Sequence, residues 1–241
     1  MSTQLSGGVE VAAQGLFAQS ADALHVVGDI VFSNDGRAFR YAKAGGTALV
    51  VGTLQQAAAQ VTGDQNLTAV AAAVGSTTLV STSTVTVTAN QYAGGYALIT
   101  VTPGVGYMYR ISGHAAFTAA APTFTLDDAI QVALTTSSRI DLIKNAYDSV
   151  IINPATATSA PVGVAVFPVT ASYFGWLQVG GIANVLADGA ITTGTNLIAS
   201  NATAGAVEPG ADAADLQASV GVAVAGIATT EYGPVRLLGM M

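Results

Sequence analysis

His25 and His114 are the chain's only imidazoles, and so its first candidates for proton transfer near neutral pH. His114 stands in Ser112-Gly113-His114, but no Gly-x-Ser-x-Gly elbow accompanies it, so an acyl-transfer site lacks its nucleophile. His25 lies just before an apolar run, and both histidines read as structural or surface groups. Asp127 and Asp128 are adjacent: in a strand they face opposite sides, and at a helix N-terminus they complement the dipole. Asp141 and Asp148, near Arg139 and Lys144, read as solvated ion pairs, and no Asp-x-Asp-x-Asp-Gly calcium loop is present. There is no cysteine, which removes disulfides, thiolate nucleophiles and cysteine metal sites. Gly104-Val105-Gly106 and Gly194-Thr195-Asn196 lack the Lys-Ser/Thr of a phosphate loop and read as turns. Asn66-Leu67-Thr68 and Asn201-Ala202-Thr203 fit the glycosylation pattern without a secretory signal to give it meaning. The expectation is a protein without catalytic residues, bound metal or cofactor.

The remaining candidates are aromatic. Phe167, Tyr173, Phe174, Trp176 and Tyr232 gather toward the C-terminus without basic neighbours or paired carboxylates, and packing in a core or at an interface accounts for them better than a sugar or base site.

Around these residues the pattern is that of strands. Val26–Phe32 and Arg37–Tyr41 flank Ser33-Asn34-Asp35-Gly36, a hairpin signal because glycine accepts the positive φ of tight turns. Leu79–Thr88 ends in alternating Val and Thr, and Tyr96–Thr102 and Tyr107–Ser112 enclose a Pro103-Gly104 turn. Short helices are possible at Leu54–Val61 and Leu67–Val74, while Asp127–Leu134 fits a short helix or a strand.

Composition narrows the function. Only 9% of residues are charged and 51% are hydrophobic, yet aromatics make up 7%, so the apolar content is small side chains suited to thin cores and broad contacts. The net charge is -7, and no Lys or Arg occurs between Lys43 and Arg110 or between Lys144 and Arg236. Nucleic-acid binding needs clustered cations, which this distribution denies. Mean hydropathy is +0.54, but polar residues and prolines break both long uncharged stretches, so neither reads as a membrane span. The start, Met1–Gly8, lacks the features of a signal peptide and points to assembly in a cytoplasm.

An internal repeat organises the C-terminal part. Residues 162–181 and 220–239 align without gaps at an offset of 58, with seven of twenty positions identical, including all of Val-Gly-Val-Ala-Val. Each copy reads as a valine-lined strand, a polar connection, an aromatic-Gly pair and a second strand. The expected fold is mainly β: small barrel or sandwich units with short helices and a duplicated C-terminal hairpin. The chain divides into an N-terminal β segment (1–60), a middle β-rich domain (61–158) and a C-terminal barrel (159–241) whose hairpins are joined by 188–218. An alternative packs the N-terminal hairpin onto the C-terminal unit, with the middle region as an insertion.

The run Pro161–Val166, Tyr173–Gly181, Gly189–Gly194, Val220–Val224 and Gly233–Leu237, with Tyr147–Ile152, resembles the β-barrel pattern of tailed-phage capsid decoration (cement) proteins. The resemblance covers about a third of the chain and departs from the smallest members of that group at the long middle region. It implies a non-enzymatic virion protein on the capsid exterior, a homotrimer clamping neighbouring major capsid subunits. A tail, fibre or adhesin module contacting a host glycan through Trp176 and the nearby tyrosines is the alternative.

Overall fold

The computed structural model describes residues 5–6, 14–210 and 219–239. The rest of Met1–Gly8, and 211–218 of the joining segment, lie outside these residues. The fold is mainly β, of barrel and sandwich type. Its helical content is one 3-10 turn, Thr62–Asp64, among the described residues. The expected short helices do not form. Leu54–Gln56 and Leu67–Thr68 are strands, and 127–134 is an irregular connection. Their alanines carry helix propensity, but strand pairing satisfies the same backbone groups within a buried sheet.

The chain forms two compact units, one of Met1–Ala58 with Ala146–Met241 and one of Ala59–Asn145. The middle region is thus an insertion, and its far boundary falls at 145/146 and not at 158. Ile151–Ile152 pairs with Leu54–Gln56, which holds the residues after 146 in the first unit.

The inserted unit is an antiparallel ring. Leu67–Thr68, Arg139–Ile143, Tyr96–Val101, Met108–His114, Thr123–Leu126 and Thr78–Val80 pair in that order. An Ala69–Ser81 bridge returns the last strand to the first. Alternation sends Ile99, Ile111, Phe124, Ile140 and Leu142 into one core with Leu79 and Tyr92.

The larger unit contains two rings. In the first, Ala38–Lys43 pairs with Phe174–Leu186, which pairs with Pro161–Ala165, then Leu54–Gln56, then Ile151–Ile152. A parallel Ala44–Val150 bridge closes it. In the second, the far half of Phe174–Leu186 pairs with Tyr232–Leu237, followed by Ser219–Ala223, Asn196–Ala199 and Val207–Pro209. A parallel Ala187–Val207 bridge closes that one. The two hairpins of the sequence repeat therefore do not share one barrel: each closes its own.

The registers coincide. Val164 opposes Gln178 and Ala165 opposes Leu177; 58 residues on, Val222 opposes Arg236 and Ala223 opposes Val235. Leu54 opposes Val164 as Asn196 opposes Val222, and both pairings slip by one residue next to the glycine, Gly163 or Gly221. Turns match as well: Gly52 donates to Ala165 O as Gly194 donates to Ala223 O, and Ser172 and Thr230 both hold a positive φ. The cores follow position by position. Ala44, Leu49, Val150, Val162, Ala165, Val169 and Leu177 in the first match Ala187, Ile191, Val207, Val220, Ala223, Ile227 and Val235 in the second. Rings this narrow are filled mostly by small aliphatic side chains, which is where the alanine and valine of the composition go, and Tyr147 is the aromatic member of the first core. The duplication thus spans both rings of the larger unit, and the inserted unit occupies the connection that in the second copy is residues 200–206.

Candidate interaction surface

The aromatic candidates separate by face. On Phe174–Leu186, residues 175, 177 and 179 point into the first barrel, while 174 and 176 point outward. That outer face is covered. Trp176 and Tyr41 are fully buried with Leu16, Val31 and Phe39, and the Trp176 and Tyr41 ring centroids lie 5.0 Å apart. Trp176 therefore belongs to the core and is not an interface residue. Phe167 and Phe174 are half-buried, with Phe174 stacked on Tyr41. Tyr173 and Tyr232 are exposed, Tyr232 at 47%.

The cover is the segment 14–20, a turn over the two rings that ends in an antiparallel bridge from Ser20 to Phe174. Phe174 N–H donates to Ser20 O at 2.8 Å and Ser20 N–H donates to Phe174 O at 3.0 Å. Trp176 Nε1 donates to Gln14 O, and Tyr41 Oη donates to Gln14 Oε1. His25 packs against both rings, 5.1 Å from each.

The same face of the second barrel is open. By register, Ile182, Asn184, Tyr232 and Pro234 stand where Phe39, Tyr41, Phe174 and Trp176 stand in the first. They line a groove of about 610 Å³, together with Phe17, Arg37, Val51, Gly52 and Val166. Phe17, Val51, Ile182 and Tyr232 are all exposed large hydrophobics. The Tyr232 ring lies over Gly52, where a Cβ would sit 2.6 Å from it. The aromatic-Gly pair of the repeat places Tyr232 on this face, as it places Phe174 on the first, but Ile182 and Asn184 lie outside the repeat's second hairpin and sequence reading misses them.

The candidates for chemistry are dispersed. His114 accepts Tyr92 N–H at Nε2 and meets Ala115 O at 2.8 Å through Nδ1, an arrangement that uses both ring nitrogens in the neutral Nδ1–H tautomer. Asp127 pairs with Arg110, and Asp141 accepts Asn66 N–H. Asp148 meets the Ser149 hydroxyl at 3.4 Å. No sequence motif points to Asp64, a fully buried carboxylate that accepts from Ser83 Oγ and Tyr92 Oη. Burial first, then the hydrogen bond and charge of Asp64, push the Tyr92 phenol far above its ordinary value. Among the described residues no three His, Asp or Glu are grouped to hold a metal ion, and no helix is long and apolar enough to cross a membrane.

Searches against family models, curated proteins and solved structures returned no match. The functional reading thus rests on the repeat and on the surface it leaves uncovered.

Proposed function

We propose that this protein is a non-enzymatic structural component of a virion that binds the outer surface of a phage capsid and cements neighbouring major capsid subunits as a homotrimer. One observation carries the reading. Two small barrels of matched register share a continuous strand, and the outer face covered by residues 14–20 on the first barrel stays open and apolar on the second. Such a body gives a stiff plate with a contact surface, and many modest contacts repeated over a shell gain from avidity. Small aliphatic and hydroxyl side chains lose little entropy on ordering, which suits flat contacts between β-subunits. The low charge density and acidic balance keep the exterior from adhering to nucleic acid.

The glycan-contact alternative loses its main residue, because the Trp176 ring is buried; Tyr173 and Tyr232 are the exposed aromatics left to it. Sedimentation of purified protein and its co-pelleting with expanded, undecorated capsids test the proposal. A trimer that pellets with the shells is the expected result. A strict monomer that stays in the supernatant overturns it.

A further inference from the structure

We infer that the open face of the second barrel is a strand-addition site for an extended, acidic-apolar peptide segment of another protein. On the first barrel this face is already covered by residues 14–20, whose Ser20 exchanges two main-chain bonds with Phe174 while the turn before it buries Leu16 beneath. At the matching place in the second barrel, Leu186 N–H is committed to Gly52 O and Ala187 N–H to Glu231 O. The Leu186–Tyr232 pair is therefore a non-hydrogen-bonded one, and Tyr232 turns its N–H and C=O away from Leu186, as Phe174 turns its own toward Ser20. Among the described residues nothing pairs with the Tyr232 N–H and C=O, and a donor and acceptor left open beside an apolar groove are what strand addition uses: main-chain bonds hold the peptide and alternate side chains enter the groove.

Charge selects the kind of peptide. Arg37 lines one side of the groove, and Arg236 lies opposite Ile182 on the strand face that carries Tyr232 and Pro234. Two of only seven basic residues in a chain of net charge -7 thus flank one site. Arg37 is paired with Asp35, whereas no carboxylate among the described residues pairs with Arg236. An incoming segment with a branched aliphatic residue for the Ile182–Tyr232 surface and carboxylates at alternate positions satisfies both features. This inference does not require the partner to be a capsid subunit.

Two labelled eight-residue peptides, one alternating Val with Glu and one alternating Val with Lys, are titrated against the full-length protein by fluorescence anisotropy. Hydrogen exchange is followed at Tyr232. The expected result is binding of the Glu peptide alone, with slowed exchange at Tyr232. Affinity should fall about tenfold for Arg236→Ala, the size of one lost charge-assisted bond. Binding should vanish for Ile182→Asp, an exposed position whose substitution leaves the barrel core intact. Equal binding of both peptides, binding of neither, or binding that survives Ile182→Asp overturns the inference. So does concentration-dependent self-association abolished by Ile182→Asp, which would assign the face to a second copy of this chain. Peptide binding without capsid binding leaves this site standing and removes the decoration reading.

Discussion

Val169 and Ile227 occupy the same place in two barrels: Val169 bridges Leu49, and 58 residues later Ile227 bridges Ile191. Each is buried, and each sits where an added Cβ on the facing glycine, Gly175 or Gly233, would collide with it. Close approach of this kind needs glycine, and both copies have it. The larger unit is therefore a structural tandem, with the inserted unit lodged in a connection that the second copy makes in a short turn.

That architecture predicts separability. A chain in which residues 59–145 are replaced by a copy of the 200–206 loop should fold into the two-barrel unit, because insertions at exposed connections leave the surrounding core intact. The isolated 59–145 segment, with its own closed ring and core, should fold too. Cooperative thermal unfolding of each piece, followed by circular dichroism, is the expected outcome. Two unfolded fragments would show that the ring closures do not define independent units.

The aromatic candidates predict opposite responses. Trp176→Ala removes a fully buried ring and should cost about 3–5 kcal/mol in denaturant unfolding. Tyr232→Ala, at an exposed position, should stay within about 1 kcal/mol of the parent. Similar losses for both would contradict the division into covered and open faces.

How much of this was legible beforehand depends on where the pairing partners lie in sequence. The Asp35-Gly36 turn was readable because hairpin partners are adjacent: Val31 opposes Phe39 and Gly36 takes φ +82°. The hairpin repeat was readable because Val162–Ala165 and Val220–Ala223 face their own barrels in the same way. The rest of the duplication was hidden by the insertion, which separates Leu54–Gln56 from Ile151–Ile152. Its trace is short: Ala48-Leu49-Val50-Val51-Gly52-Thr53 against Ala190-Ile191-Thr192-Thr193-Gly194-Thr195. Trp176 could not be placed from the strand pattern, since it points away from its own barrel and is buried by a segment that begins some 160 residues earlier, at Gln14.

Gly52 offers a test of the contact at the rim of the groove. Its φ is +73°, and an added Cβ would lie 2.6 Å from the Tyr232 ring. Gly52→Ala should therefore destabilise by about 1–3 kcal/mol from overpacking and backbone strain together. Adding Tyr232→Ala removes the clash but not the strain, so the double variant should recover part of the loss. Strict additivity of the two substitutions would mean that the ring does not rest on this glycine.

The buried phenols set an alkaline limit. Tyr41, Tyr92 and Tyr147 are all held above the ordinary value of 10.0 by burial, with Asp64 adding to the effect at Tyr92. A raised folded-state value means that the native fold favours the neutral phenol, so this contribution is complete below about pH 10 and is lost as the pH climbs from there through the folded values. Unfolding free energy should hold steady up to that point and decline above it, with Tyr92 the last of the three to ionise in an ultraviolet titration of tyrosinate. Asp64→Asn removes the charge facing the Tyr92 oxygen and should move that late phase to lower pH, while leaving the phases of Tyr41 and Tyr147, in the other unit, where they are. A late phase unchanged in Asp64→Asn would leave desolvation alone as the cause, and one that moves together with those of Tyr41 and Tyr147 would report global unfolding in place of local ionisation.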